Sequence, residues 1–233
     1  MEILNHMRFY FIRHGQSQNN SLWDQTGSSK GRSLDAELTP VGRQQAKLLS
    51  RFLLDRESEF GLTHLYTSLM VRAVATGVIL ADRLGLPLVA WEDLHETGGI
   101  YLEDEQASQC IGQPGNSRAY FETHYPTLVL PESLNEAGWW NRPFEEREQR
   151  LPRAQRFLRD LVERHGHGND RVAVVSHGAF YNYFLSALLD WPRKDGCWFA
   201  LNNAAITRID LHDDRVDLVY LNRFEFLPVE LIT

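Results

Sequence analysis

The sequence predicts an α/β sandwich on a mostly parallel sheet, and three observations carry that expectation. Short apolar runs rich in β-formers recur along the chain, as Phe9–Ile12, Thr63–Thr67, Pro87–Trp91 and Arg171–Ser176. Stretches with apolar residues at helical spacing lie between them, and alternation of this kind builds parallel sheets covered by helices. The first run and the last both stop abruptly at a His-Gly pair, His14-Gly15 and His177-Gly178. A cation and an imidazole at the end of a buried strand, as in Arg13-His14, do not serve core packing. In open α/β sheets ligands bind outside the carboxyl ends of the strands.

Taken in order, Phe9-Tyr10-Phe11-Ile12 suits a strand buried on both faces. Residues 17–38 read as a loop, and its glycines lack the spacing of a phosphate-binding Walker loop. Leu38-Thr39-Pro40 announces a helix, with Thr39 as N-cap and Pro40 at the first helical position. Val41, Gln45, Leu48, Leu49, Phe52 and Leu53 give it one buried face. Ser68 is placed to cap the next helix, whose stripe is Val71, Val74, Ala75 and Val78 and whose end falls at Gly85. Arg72 lies in its first turn, off the stripe. The helix dipole disfavours a cation there, so another group is expected to hold it.

Residues 98–142 show no clean periodicity and carry Pro114, Pro126, Pro131 and the pair Trp139-Trp140. Such a segment, here bounded at about 98–143, reads as a lid inserted into a single domain spanning 1–233. Trp139-Trp140 is either its hydrophobic plug or a wall of the substrate pocket. Arg118 and Arg142 either meet a second anion or are solvated. A charged helix from Phe144 to Arg164 follows, expected to be divided by Pro152, with Phe157, Leu158, Leu161 and Val162 buried. A last helix runs from Ala179 to Leu189. The tail from Cys197 to Asn222 reads as strands around the turn His212-Asp213-Asp214.

Hydrophobic content of 43% and charged content of 24% are those of an ordinary soluble globular chain. A net charge of −7 argues against nucleic acid or an anionic membrane as the main partner. Cys110 and Cys197 make no disulfide framework, and no apolar run approaches the ~18 residues of a membrane span. A cytoplasmic location is the default expectation. His165 and His167 bracket a glycine with no Asp, Glu or Cys cluster beside them, so they read as a solvated loop rather than metal ligands.

Four strands thus deliver polar groups just beyond their carboxyl ends: Arg13 and His14, then Arg72, then Glu96, then His177. Two imidazoles, two guanidiniums and a carboxylate in one pocket are the equipment of phosphoryl transfer. Charge on the equatorial oxygens needs fixed cationic donors, a neutral imidazole can attack phosphorus, and a carboxyl can protonate the leaving oxygen.

The chain resembles the histidine phosphatase superfamily, also called phosphoglycerate mutase-like. The resemblance rests on Arg13-His14-Gly15, on Leu38-Thr39-Pro40-Val41-Gly42-Arg43-Gln44-Gln45-Ala46, on Ser68 with Arg72, on Glu96 and on Ser176-His177-Gly178. It implies a three-layer α/β/α sandwich and a metal-independent phosphatase with no cofactor, acting on a phosphomonoester of a small metabolite. By the same resemblance His14 is the phosphate-accepting nucleophile and Glu96 the proton donor. Arg13, Arg72 and His177 form the phosphate pocket, with Asn20 and Gly178 lining it. Gln16 stands where the family often has Glu, Ala179 where the glycolytic mutases carry Asn, and the insert lacks their characteristic stretch. Those departures favour a phosphatase over a mutase, and a non-catalytic phosphate-binding module is disfavoured because no member of the catalytic set is missing. The expected partner is a small phosphorylated substrate, with no nucleic acid and no membrane; the sequence leaves self-association open.

Overall fold

The computed structural model describes residues 6–104, 109–191 and 196–233. Its centre is β1, His6–Arg13, whose side chains alternate between two cores. Tyr10 and Ile12 face one of them, Phe9 and Phe11 the other. An unbroken apolar run is what a strand covered on both sides requires. Beside β1 lies β7, Arg171–Ser176, then β2, His64–Thr67, β3, Leu88–Ala90, and β6, Leu128–Val129, at one edge. These pair in parallel, so their carboxyl ends share one edge of the sheet. On the other side of β1, β8, Ile206–His212, and β9, Val216–Arg223, add antiparallel, completing a seven-stranded sheet.

The helices α2, Pro40–Asp55, and α3, Val71–Leu84, cover the Tyr10/Ile12 face with Leu49, Phe52, Leu53, Ala73, Val74 and Leu80. The opposite face is covered by α5, Arg147–His165, and α6, Gly178–Leu188, through Ala154, Phe157, Leu161, Phe180, Tyr181 and Phe184. The fold is therefore α/β with three layers, as expected. Among the described residues no helix is long and apolar enough to cross a membrane.

Several expectations need correction. Residues 17–38 are not all loop: α1 spans Gln18–Thr26. It buries none of its residues, so it has no apolar stripe to betray it, and it is started by a reciprocal Ser17–Asn20 capping box. Pro152 does not divide α5, which runs through it. The lost backbone bond is offset by burial of Ala154, Phe157 and Leu161, while Val162 is exposed instead of buried. Ser68 is not the N-cap of α3. It accepts the Met70 N–H at 3.2 Å, and the cap position is Met70.

The segment after Glu96 is also more ordered than its irregular pattern suggests. It forms a hairpin of β4, Tyr101–Asp104, and β5, Gln109–Gly112, then the short α4, Arg118–His124, and then β6, which joins the main sheet beside β3. Elements this short leave no periodicity to read. Trp139 and Trp140 are buried, and Trp140 packs on the His95 ring at 4.7 Å. They are a plug. Arg118 bonds the carbonyls of Leu134 and Pro131, and Arg142 lies over the Trp140 ring at 4.1 Å.

Candidate active site

β1 ends at Arg13, and the backbone of His14 is fixed from both sides. Its N–H bonds Ser176 O at 3.0 Å, and its carbonyl accepts from Ala204 N at 3.2 Å and Asn203 Nδ2 at 3.0 Å. Gly15 then passes so close to α2 that a Cβ would collide with the carbonyl oxygen of Gly42. Gly42 is equally constrained, since its own Cβ would strike the Gln16 carbonyl. Two glycines facing each other let the strand exit rest directly on a helix.

The rest of the Leu38–Ala46 motif secures that contact. Thr39 caps α2 and donates its hydroxyl to Gln16 Oε1 at 2.7 Å. Gln45 accepts the Gln16 N–H at 2.7 Å and donates to Leu231 O at 2.7 Å. Helical spacing assigned Gln45 correctly to the buried face, but its amide works as a polar brace for the loop after His14.

His14 is itself buried. Its Nδ1 donates to the Gly15 carbonyl at 2.7 Å, which leaves Nε2 as the unprotonated nitrogen, and Arg72 Nε donates to it at 3.1 Å. Burial, with the Arg72 and Arg13 charges second, holds its pKa well below the ordinary histidine value. His14 is thus a neutral imidazole whose Nε2 lone pair is occupied by the Arg72 Nε–H. The His177 ring lies 5.0 Å from it, centroid to centroid. His177 is fully buried, it too is held well below the ordinary value by burial, and among the described residues neither of its ring nitrogens has a hydrogen-bond partner. The buried Nε of Arg13 is unpartnered as well, while its Nη1 donates to Leu201 O at 2.5 Å. Buried donors left unpaired are costly, and ones that converge beside a nucleophilic nitrogen fit an anionic ligand.

Arg72 is held as its first-turn position requires. Besides His14 it meets Asp35, with Nη1 3.8 Å from Oδ1. Asp35 also accepts the Val71 N–H at 3.1 Å and the Asn116 side-chain amide at 3.2 Å. It therefore supplies the helix-cap contact expected of Ser68. Burial raises its pKa to about 6, against the lowering influence of Arg72. A single aspartate between loop glycines and the α2 motif carries no local signal, and sequence reasoning missed it. Asp35→Asn keeps the shape but removes the counter-charge of Arg72. We expect kcat/KM to fall about tenfold with weaker vanadate inhibition, in line with ~1.5 kcal/mol for a charge-assisted contact. Unchanged vanadate inhibition would show that Arg72 holds its place without Asp35.

Glu96 reaches the site from the turn after β3. Its carboxylate accepts the N–H groups of Thr97 at 2.8 Å, Ala179 at 3.1 Å and Phe180 at 2.9 Å. Two of these donors open α6, where a negative group also meets the positive end of the helix dipole. Ser176 ties the two strand ends together by donating to Leu94 O at 2.7 Å. Asn20 faces the cavity, but its Oδ1 is engaged by Ser17 and Asn203. A Cβ added at Gly178 would lie at ordinary contact distance from the Arg13 guanidinium.

Arg13, His14, Asn20, Arg72, Glu96 and Gly178 open on one cavity of about 520 Å³. Trp139, Trp140, Arg118 and Arg142 do not line it; the insert contributes Tyr101 and Glu103. His95 is also apart, bonded through Nδ1 to Glu96 O and packed under the tryptophans.

At the opposite end of the sheet, His165 is not the solvated residue expected. It is buried between Asp170 at 2.8 Å and the Tyr66 hydroxyl at 3.0 Å, with His64 in the same cluster. Asp170 is five residues further on in sequence, just before β7, and only the fold closes that distance. His167 is exposed.

A neutral buried imidazole, two guanidiniums and a helix-held carboxylate thus meet at the carboxyl edge of a mostly parallel sheet, the groups that phosphoryl transfer calls for. The model of the histidine phosphatase superfamily (branch 1) matches residues 9–223. The chain belongs to that superfamily, and it is an enzyme, a phosphatase. It is 28% identical over 224 residues to the "Putative phosphoserine phosphatase 2" of Hydrogenobacter thermophilus, covering 93% of this chain and 95% of that one. It is 26% identical to the "Probable phosphoglycerate mutase GpmB" of Escherichia coli, over 89% of this chain and 86% of the other. Among solved structures it superposes on a mycobacterial glucosyl-3-phosphoglycerate phosphatase with a TM-score of 0.61 at 22% identity, covering 92% and 98% of the two chains. That last likeness is one of fold.

Proposed function

We propose that the chain is a metal-independent phosphomonoesterase that works through a phosphohistidine on His14, with a small phosphorylated metabolite as substrate. The observation that carries this reading is the unprotonated His14 Nε2, fixed by the Nδ1–H to Gly15 bond and held by Arg72 Nε, with the His177 ring 5.0 Å away and the buried Arg13 Nε and His177 ring nitrogens without hydrogen-bond partners among the described residues. Substrate phosphate takes up those donors and draws Arg72 from Nε2 onto its oxygens. In the first step the Nε2–P bond forms as the P–O bond to the alcohol breaks, and a proton on Glu96 passes to the departing oxygen. Both Glu96 oxygens accept backbone N–H groups, so the proton is best brought in by the phosphate monoanion. In the second step Glu96 takes a proton from water, the hydroxyl attacks phosphorus, the N–P bond breaks and inorganic phosphate leaves.

Two guanidiniums supply the charge that a divalent ion supplies in other phosphoryl-transfer enzymes. Hydrolysis rather than mutase transfer is favoured because Arg118 and Arg142, the insert cations that could hold a second phosphate, stand outside the cavity. The domain is read as one unit across 1–233, with 98–143 as an insert that, among the described residues, lines the cavity through Tyr101 and Glu103. The test is a phosphate-release assay over a panel of esters, before and after dialysis against EDTA. Release that survives chelation and is blocked by vanadate is expected. Loss on chelation with recovery on adding Mg²⁺ or Zn²⁺, or phosphoryl transfer between substrate positions without phosphate release, would overturn the proposal.

A further inference from the structure

At the amino edge of the parallel strands, away from the catalytic cavity, three ligand-type side chains converge from separate elements. His64 opens β2, His165 closes α5 and Asp170 stands one residue before β7. One donor atom of each lies within 4.8 Å of the other two. His165 Nδ1 is 2.8 Å from Asp170 Oδ2, and His64 Nδ1 is 3.8 Å from the same oxygen. Two imidazole nitrogens thus face one carboxylate oxygen. The six residues of β7 run from this place to the catalytic edge, which separates the two by about 20 Å.

The cluster has what a borderline divalent cation such as Zn²⁺ needs. Donors held at about 2.0–2.2 Å from one ion stand roughly 3–4 Å apart, so these three close on it with shifts of about an ångström or less. Among the described residues Asp170 is paired with no lysine or arginine; its contacts are the two histidines, and its charge is left for a cation. His165 is buried and steadied from behind, with the Tyr66 hydroxyl 3.0 Å from its Nε2. Imidazoles that bind metals are commonly oriented by a hydrogen bond on the other ring nitrogen. His64 and Asp170 are only half-buried, which gives an ion a way in.

The present hydrogen bonds can be exchanged without leaving a buried group unpaired. The Nδ1–H of His165 donates to Asp170, and the Thr63 hydroxyl lies 2.9 Å from His64 Nδ1, on the solvent side. When an ion takes the two Nδ1 atoms, the His165 proton passes to Nε2, where the Tyr66 oxygen accepts it. The ring stays neutral throughout.

We propose that His64, His165 and Asp170 form a binding site for Zn²⁺ or a cation of its class, with water completing the coordination. The ion ties the end of α5 to the starts of β2 and β7. Its role is structural; it takes no part in the chemistry at His14, and the site stands independently of the phosphatase reading. A hard cation such as Mg²⁺ prefers oxygen ligands and should not compete.

The experiment follows thermal unfolding and calorimetric binding of the EDTA-dialysed chain with added ZnCl₂ or MgCl₂. Wild type is compared with His64→Ala, Asp170→Asn and Tyr66→Phe, and with His167→Ala as a control at an exposed neighbouring imidazole. Each variant is referred to its own zinc-free Tm, so a loss of intrinsic stability does not obscure the result. With free Zn²⁺ about 100-fold above Kd, wild type and His167→Ala should gain about 5–10 °C in Tm, and Mg²⁺ should give no gain. His64→Ala and Asp170→Asn should lose the gain. Tyr66→Phe keeps all three ligands and should weaken Zn²⁺ binding about tenfold or more. Absence of a Zn²⁺-dependent gain in wild type would show a hydrogen-bonded cluster only and overturn the proposal. A gain kept in full by His64→Ala and Asp170→Asn, as zinc on the catalytic imidazoles or on Cys110 and Cys197 would give, would overturn it equally.

Discussion

His14→Ala should lose turnover by about 10³-fold or more while staying folded, since it removes the atom proposed to bond phosphorus. The backbone bonds of His14 to Ser176, Asn203 and Ala204 do not depend on its side chain, so thermal unfolding should remain cooperative. Quenching wild type during turnover should trap an acid-labile, alkali-stable phosphoprotein that the variant does not form. The pH dependence has a defined sign. Burial, Arg72 and Arg13 push the His14 pKa down, so the nucleophile stays neutral as pH falls through the ordinary histidine range. Phosphoenzyme formation should therefore show no midpoint near 6.5 once the ionisation of the substrate is divided out. Unimpaired turnover in His14→Ala would end this reading.

Glu96→Gln separates the acid from the rest of the site. The leaving oxygen of an alkyl phosphate departs badly without a proton, whereas a nitrophenolate leaves unaided. Glutamine keeps one oxygen to accept from Thr97 and Phe180, but its amide group faces the Ala179 N–H and cannot deliver an acidic proton. General acid catalysis contributes about 10²- to 10⁴-fold, so the loss on an alkyl phosphate should exceed that on p-nitrophenyl phosphate by a margin in that range. The comparison belongs in single turnovers that follow phosphoenzyme formation, because Glu96 is also proposed to activate water afterwards. Equal losses on both esters in that first step would mean that Glu96 only shapes the pocket, and His177 would be the next acid to test.

Much of the site was legible because each of its pieces has a local signature. An apolar run that halts at Arg13-His14-Gly15 is visible in a handful of residues, and so is a second that halts at His177-Gly178. The Thr39-Pro40 helix start and the glycine stop at Gly85 are equally local, and both are found as expected. Arg72 stood out because a cation in a first helical turn asks for a partner. The family resemblance joined these pieces in order. What failed did so where the signal was too weak or too distant. Helix α1 has no buried face, the hairpin and β6 are too short for periodicity, and Pro152 is a local breaker overruled by packing.

The sequence by itself determined which strands are buried, that they alternate with helices, and which groups end up on one edge of the sheet. Parallel pairing follows from that alternation, and carboxyl ends then coincide without further instruction. Only the tertiary structure decided which groups brace the site and which face the substrate. Asp35 meets Arg72 across 37 residues of chain, Asn203 reaches His14 from the antiparallel edge, and Gly15 matters because Gly42 lies against it. The conspicuous Trp139-Trp140 went into the core, while Trp23 and Trp198 came to the cavity mouth. Composition cannot distinguish those fates, because whether an indole is buried depends on which distant elements the fold brings against it.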